Sequence, residues 1–113
     1  MLLYILDDKT IRLTRGDTAY LTIPLFNDST QSDYEMSAND VLTFSVKRKP
    51  KTDIDCLIQK IIHGSNTFHI EPGDTKDMSF GKYRYDVQLT TAGGDVYTVI
   101  EPSVFEVMEE VTT

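Results

Sequence analysis

The segment Ile70–Leu89, IEPGDTKDMSFGKYRYDVQL, restricts the fold of this chain more than any other stretch. It reads as the end of one strand, a turn at Pro72-Gly73-Asp74-Thr75 that can wind into a single helical turn reaching Met78, and a new strand opened by Gly81. In that new strand Tyr83, Tyr85, Val87 and Leu89 alternate with Lys82, Arg84, Asp86 and Gln88. Successive side chains of a strand point to opposite faces, so this alternation makes one apolar face and one solvated face. A tyrosine just inside such a strand, after a tight turn, is the pattern of a tyrosine corner, where a β-sandwich passes from one sheet to the other. Its hydroxyl turns back onto backbone a few residues upstream. Tyr83 occupies that place, with Asp74 and Met78 in the preceding turn.

The rest of the chain repeats the same period of two, and no long stretch carries a helical period. Leu2–Leu6 and Thr10–Thr14 read as short strands, the second with Ile11 and Leu13 on one face. Thr18–Phe26 is a stronger strand. Ala19, Leu21, Ile23 and Leu25 share one side; Tyr20, Thr22, Pro24 and Phe26 share the other. Pro24 has no amide proton to give, so that strand is expected at an edge or bulged there. Residues 27–40, NDSTQSDYEMSAND, read as a long mobile loop that Tyr34 and Met36 anchor. Val41–Arg48 points Leu42, Phe44 and Val46 inward, Leu57–Ile62 is rich in β-formers, and Thr67–Glu71 points Phe68 and Ile70 inward. Lys82–Thr91 and Val96–Ile100 flank a hairpin signal, Ala92-Gly93-Gly94-Asp95. Pro102 is expected to break the second of these, leaving Ser103–Met108 as a closing strand and residues 109–113 as a solvated tail. About 7–9 short strands with turns every 8–12 residues imply an all-β fold. The expected class is an immunoglobulin-like antiparallel β-sandwich, with a small closed barrel as the alternative.

The 113 residues suit one domain and one core. Eighteen acidic residues against eleven basic ones give a formal charge of −7, which repels a phosphate backbone and argues against nucleic-acid binding. That charge serves solubility, or attraction to a basic partner. The single cysteine, Cys56, cannot form an internal disulfide, which excludes a stapled extracellular scaffold and suits folding in a reducing cytoplasm. It lies in the apolar run DCLIQKII, where an inert buried thiol is expected. The apolar run at the N-terminus is too short to span a bilayer and has no basic flank, so no membrane insertion is expected.

Motifs that carry chemistry are missing from the string. There is no Gly-rich phosphate loop, no GxSxG, no HExxH and no paired-cysteine motif, and nothing places a Ser, a His and an Asp together. The chain therefore reads as a non-enzyme without a cofactor. Asp7-Asp8, Asp53-x-Asp55 and Asp74 do not form a calcium loop, and His63 and His69 have no partner at metal spacing. Arg15-Gly16-Asp17 spells an integrin-binding tripeptide, but it falls between two strands. There Gly16 supplies a positive φ and Asp17 supports the turn by local hydrogen bonds. Tyr20 and Phe26, with Tyr34 and Met36 of the following loop, form a possible partner surface, unless that loop folds over the strand.

Four segments in order carry a resemblance: RGDTAYLTIPL, DVLTFSVKRKP, LIQKII and FHIEPGDTKDMSFGKYRYDVQLTTAGGDVYTVIEPSVFEV. Together they resemble small structural proteins of tailed phages and prophages of Gram-positive bacteria, and are similar to the N-terminal domain of siphophage upper baseplate proteins. The resemblance runs from about Ile11 to Val111. It implies an immunoglobulin-like sandwich that assembles into a tail or baseplate by contacts with other phage structural proteins or with itself. It also implies a virion location after synthesis in the bacterial cytoplasm. Baseplate domains of this kind are followed by long helical or fibre-attachment regions; the sequence in hand ends at Thr113, so a stand-alone module, a decoration or a piece of an assembly is expected. The alternative is a carbohydrate- or cell-surface-binding module, with a concave polar site rimmed by Tyr34, Tyr20 or Tyr97.

Overall fold

The computed structural model describes residues 3–5, 9–27, 31–48 and 56–109. The Asp7-Asp8 pair, the Asp53-x-Asp55 loop, the Cys56 side chain and the tail beyond Glu109 lie outside the described residues.

The chain is an all-β sandwich. Its strands are β1 (Leu3–Ile5), β2 (Ile11–Thr14), β3 (Ala19–Thr22), β4 (Phe26–Asn27), β5 (Ser32–Asp33), β6 (Val41–Lys47), β7 (Cys56–His63), β8 (Thr67–Ile70), β9 (Gly81–Thr90) and β10 (Val96–Met108). One short helix, α1 (Pro72–Thr75), lies between β8 and β9. A six-stranded sheet has the order β1-β2-β10-β9-β6-β7, and β3-β8 forms the second layer. The small β4-β5 hairpin stands apart from both. The chain passes between the layers from β2 to β3, from β3 to β6, from β7 to β8 and from β8 through α1 to β9.

The alternation expected for each strand appears as burial. Ile11, Leu13, Leu42, Phe44, Val46, Tyr83, Tyr85, Val87, Leu89, Phe105 and Val107 face inward from the large sheet. Ala19, Leu21, Phe68 and Ile70 meet them from the small one, with Ile23 and Leu25 continuing the row. Phe44 is the centre of this layer: its ring lies 5.5 Å from Phe68, 5.6 Å from Tyr85 and 6.2 Å from Phe105. Truncating a ring so placed costs on the order of 3–5 kcal/mol, because lost transfer energy and an unfilled cavity add.

Three expectations are corrected. The sheet is not wholly antiparallel, since β10 runs parallel to β2 from Phe105↔Ile11 to Met108↔Thr14. Pro102 does not divide the last strand. β10 runs through it as one 13-residue strand, and register shifts between Thr98 and Ile100 and between Ile100 and Ser103 take up the irregularity. A bulge leaves a residue outside the ladder, which is where a proline without an amide proton fits. The segment read as a long loop is also structured over 31–40. β5 pairs with β4 through Phe26↔Asp33, and the Tyr34 amide donates to the Leu25 carbonyl at 3.0 Å.

Among the described residues β3 has β8 as its one neighbour, an edge position as expected from Pro24; its regular ladder ends at Thr22, though the chain stays in line. The Ile23 amide donates to the Asn66 carbonyl at 2.8 Å, and the Asn66 side-chain amide returns a 2.8 Å bond to the Ile23 carbonyl.

Candidate functional site

Two ends and one face of the sandwich carry the residues singled out above. At the lower end, the Tyr83 hydroxyl donates to the Ser79 carbonyl at 2.7 Å, which closes a tyrosine corner. Met78 is buried beside it, and its amide donates to the Thr75 carbonyl at 2.9 Å. Asp74 is occupied elsewhere: it accepts from the Glu71 amide at 2.8 Å, as in a capping box, and from the Lys60 ammonium at 2.9 Å. The corner is thus Tyr83 with Ser79, and Asp74 fixes the start of α1. The Arg15-Gly16-Asp17 turn docks on the same knot. Gly16 has φ +83°, its amide donates to the buried Thr75 hydroxyl at 2.8 Å, and Asp17's amide closes the turn on the Thr14 carbonyl at 3.1 Å. The Arg15 guanidinium lies 4.3 Å from the centre of the Phe80 ring, a cation–π contact that ties this arginine to its own domain.

At the upper end Asp40 is the hub, with only 2% of its surface exposed. Its Oδ2 accepts from the Tyr34 hydroxyl at 2.5 Å and the Ser37 amide at 3.0 Å, and its Oδ1 accepts from the Ala92 amide at 3.1 Å. Its backbone carbonyl takes the Gly64 amide at 3.0 Å. The carboxylate therefore joins the 34–40 segment to the β9–β10 hairpin, and the backbone carbonyl of the same residue adds the turn after β7. Donors aimed at an anion favour the charged form, so the Tyr34 hydroxyl above all, then the Ser37 amide, hold the Asp40 pKa below its ordinary range against the opposing effect of burial. The same bond raises the Tyr34 pKa, with burial and the Asp40 charge adding to it. Gly64 sits at φ +64°, and a Cβ there would lie 3.2 Å from the Ala38 Cα, so the turn needs glycine for conformation and for space.

The four residues expected to share a partner surface separate into two pairs. Tyr34 and Met36 are half-buried and packed on the core, so they anchor their segment. Tyr20 and Phe26 stay open, at 64% and 58% exposure, so the following segment does not fold over them. Burial alternates without interruption from Ala19 to Phe26, which lines up Tyr20, Thr22, Pro24 and Phe26 on the outside. Across the ladder Tyr20 faces His69, their rings stacked 4.6 Å apart at 8°, and the Thr22 and Thr67 hydroxyls share a 3.0 Å hydrogen bond. The strip is aromatic and carries no carboxylate, lysine or arginine.

Alternation with Phe68 and Ile70 puts His69 outward but says nothing of Tyr20, and no motif singles out Asp40. The first pairing depends on register between distant strands. The second had one faint signal: Ser37 three residues before Asp40, at the entry to a strand, is a turn pattern.

On the outer face of the large sheet, Ser45, Lys47, Arg84, Asp86 and Pro102 line a shallow hollow. Burial raises the Asp86 pKa there, and the nearby Lys47 charge opposes the shift. Among the described residues no group of three or more His, Cys, Asp or Glu side chains could hold a metal ion. Among them, too, no helix is long and apolar enough to cross a membrane. The chain matches no protein-family model, no curated protein and no solved structure.

Proposed function

We propose that this chain is a non-enzymatic structural or assembly protein of a phage or prophage virion, associated with the tail or baseplate, and that it works by protein–protein contact. The observation that carries this reading is the open strip Tyr20–Thr22–Pro24–Phe26 with His69 beside it. Large aromatics that a fold leaves exposed on a sheet face suit a partner surface, because they bury much area with little loss of side-chain freedom. The resemblance of the four sequence segments supplies the virion context. The glycan alternative draws less support, because Tyr20 lies on the small-sheet face and the Tyr34 hydroxyl is already engaged by Asp40.

The test is incorporation. Particles purified from a producing strain carry the chain, detected by mass spectrometry, and a Tyr20→Ser/Phe26→Ser variant that folds normally is left out of them. Particles that lack the wild-type chain, in a strain that expresses it, would sink the reading. Binding across a glycan panel, lost in a Tyr97→Ser variant, would put the alternative in its place.

A further inference from the structure

Among the described residues the large sheet leaves open, besides β1, two contrasting stretches of strand. β2 covers β10 only from Phe105 to Met108, so the stretch of β10 from Val96 to Val104 has β9 on one side and no described strand on the other. That stretch bears two register shifts and Pro102, the devices by which natural sheets keep edges from pairing. β7 is the last strand at the other end of the order. It has eight residues with no proline and no glycine, and the β6–β7 ladder shifts register only at its end, between Val46 and Lys47. Leu57 and Ile61 are left 39% and 55% exposed on it. Its single charged residue, Lys60, is held by Asp74 of its own chain at 2.9 Å. β7 itself carries no carboxylate, so in a molecule of formal charge −7 a second copy meets less repulsion along this strand than the charge of the whole chain implies.

We propose that β7 is the seam of a symmetric homodimer, in which it pairs antiparallel with β7 of a second copy about a twofold axis through Gln59. The pattern of the strand itself selects a second copy. Residues opposite each other in such a pair have positions summing to twice that of Gln59, so Leu57 of each copy faces Ile61 of the other. Both exposed apolar side chains are then covered at once, on the outer face. Lys60 faces Ile58 of the partner copy, so no like charges stand opposite. The Gln59 side chains meet at the axis, each amide within 3.5 Å of its own Ser45 hydroxyl. The two six-stranded sheets become one continuous sheet, with β7 no longer a terminal strand of either. The dimer concerns a different surface from the Tyr20 strip and stands apart from the virion reading, since it is measured on the purified chain alone.

Sedimentation equilibrium over a concentration series tests it with two variants that differ only in charge sign. Leu57→Lys/Ile61→Lys places lysine against lysine twice across the axis. Leu57→Lys/Ile61→Glu places lysine against glutamate twice. The expected results are a dimeric wild type, a Lys/Lys variant weakened at least about tenfold, and a Lys/Glu variant that recovers about tenfold over Lys/Lys. Hydrogen exchange of the wild type needs no substitution and should show protection of residues 57–62 rising with protein concentration. Four outcomes would overturn the proposal: a wild type that stays monomeric, as it would if this edge takes a strand from another protein; a Lys/Glu variant as weak as Lys/Lys; a dimer without concentration-dependent protection of β7; or a dimer abolished by Tyr20→Ser/Phe26→Ser.

Discussion

The two ends of the sandwich are both tied by a tyrosine hydroxyl, and they are built on opposite logic. At the lower end Tyr83 reaches back four residues to the Ser79 carbonyl, a bond between neutral groups inside one turn. At the upper end Tyr34 meets the Asp40 carboxylate, which also gathers amides from Ser37 and from Ala92, 52 residues away. The lower tie is local and short-range in sequence, so it belongs to a strand entry wherever that pattern occurs. The upper tie is complete only once the 34–40 segment has met the β9–β10 hairpin. Bonds to a charged acceptor are roughly twice as strong as neutral ones, and leaving their donors unpaired is correspondingly expensive. The difference teaches that the tie with the weaker sequence signature holds the greater share of tertiary structure.

The largest expected effect is at the hub. Asp40→Ala leaves the Ser37 and Ala92 amides and the Tyr34 hydroxyl without their acceptor and should lower the melting temperature by roughly 10 °C. A drop no larger than that of Tyr83→Phe would erase the contrast between the ends. Next comes Gly64→Ala, which forces a side chain into a positive-φ turn against the Ala38 backbone; a loss of about 1–2 kcal/mol in chemical denaturation is expected. Tyr83→Phe should cost on the order of 1 kcal/mol, one neutral hydrogen bond. Combined with Asp40→Asn it should be additive, whereas Tyr34→Phe with Asp40→Asn should not be, because only the second pair shares a bond. A double-mutant cycle in denaturant decides this.

The upper tie should also carry a pH signature that the lower one lacks. The Asp40 pKa is lowered in the fold, so its contribution is complete above the ordinary carboxylate value of 3.8 and is lost as pH falls through the lower folded value. The Tyr34 pKa is raised, so its contribution is complete below the ordinary 10.0 and is lost as pH rises through the higher folded value. Asp40→Asn should blunt both limbs of the stability profile, and Tyr83→Phe neither. The smallest effect belongs to Asp86, whose raised pKa marks an ionised form that the fold disfavours. Asp86→Asn should stabilise slightly at neutral pH and not at all once acid has protonated the native carboxyl. A loss of stability at neutral pH would show that its attraction to Lys47 outweighs burial.

Much of the molecule was legible before any coordinates. Each strand that faces the core announces itself by alternation, because a sheet with one buried face sorts apolar and polar residues with a period of two. The Tyr83 corner, the helical turn at Pro72 and the Ala92–Asp95 hairpin were readable for a similar reason: turn chemistry is a property of a few adjacent residues. The path of β10 through Pro102 was misread, since whether a proline breaks a strand or sits in a bulge depends on which neighbours need its amide. The structure of 31–40 was misread too, since polar composition cannot distinguish a solvated loop from a hydrogen-bonded one.

Local order thus determined the strands, the turns and the inward face of each strand, through steric and hydrophobic preferences that act within a few residues. Tertiary structure alone decided which strand lies at an edge and that β10 pairs parallel with β2. It also decided that Tyr20 stacks on His69, and that one aspartate among many is buried as a hub. Those outcomes turn on register and on the meeting of segments far apart in the chain, and the energy of a buried carboxylate or an exposed ring is set by neighbours that no local pattern names.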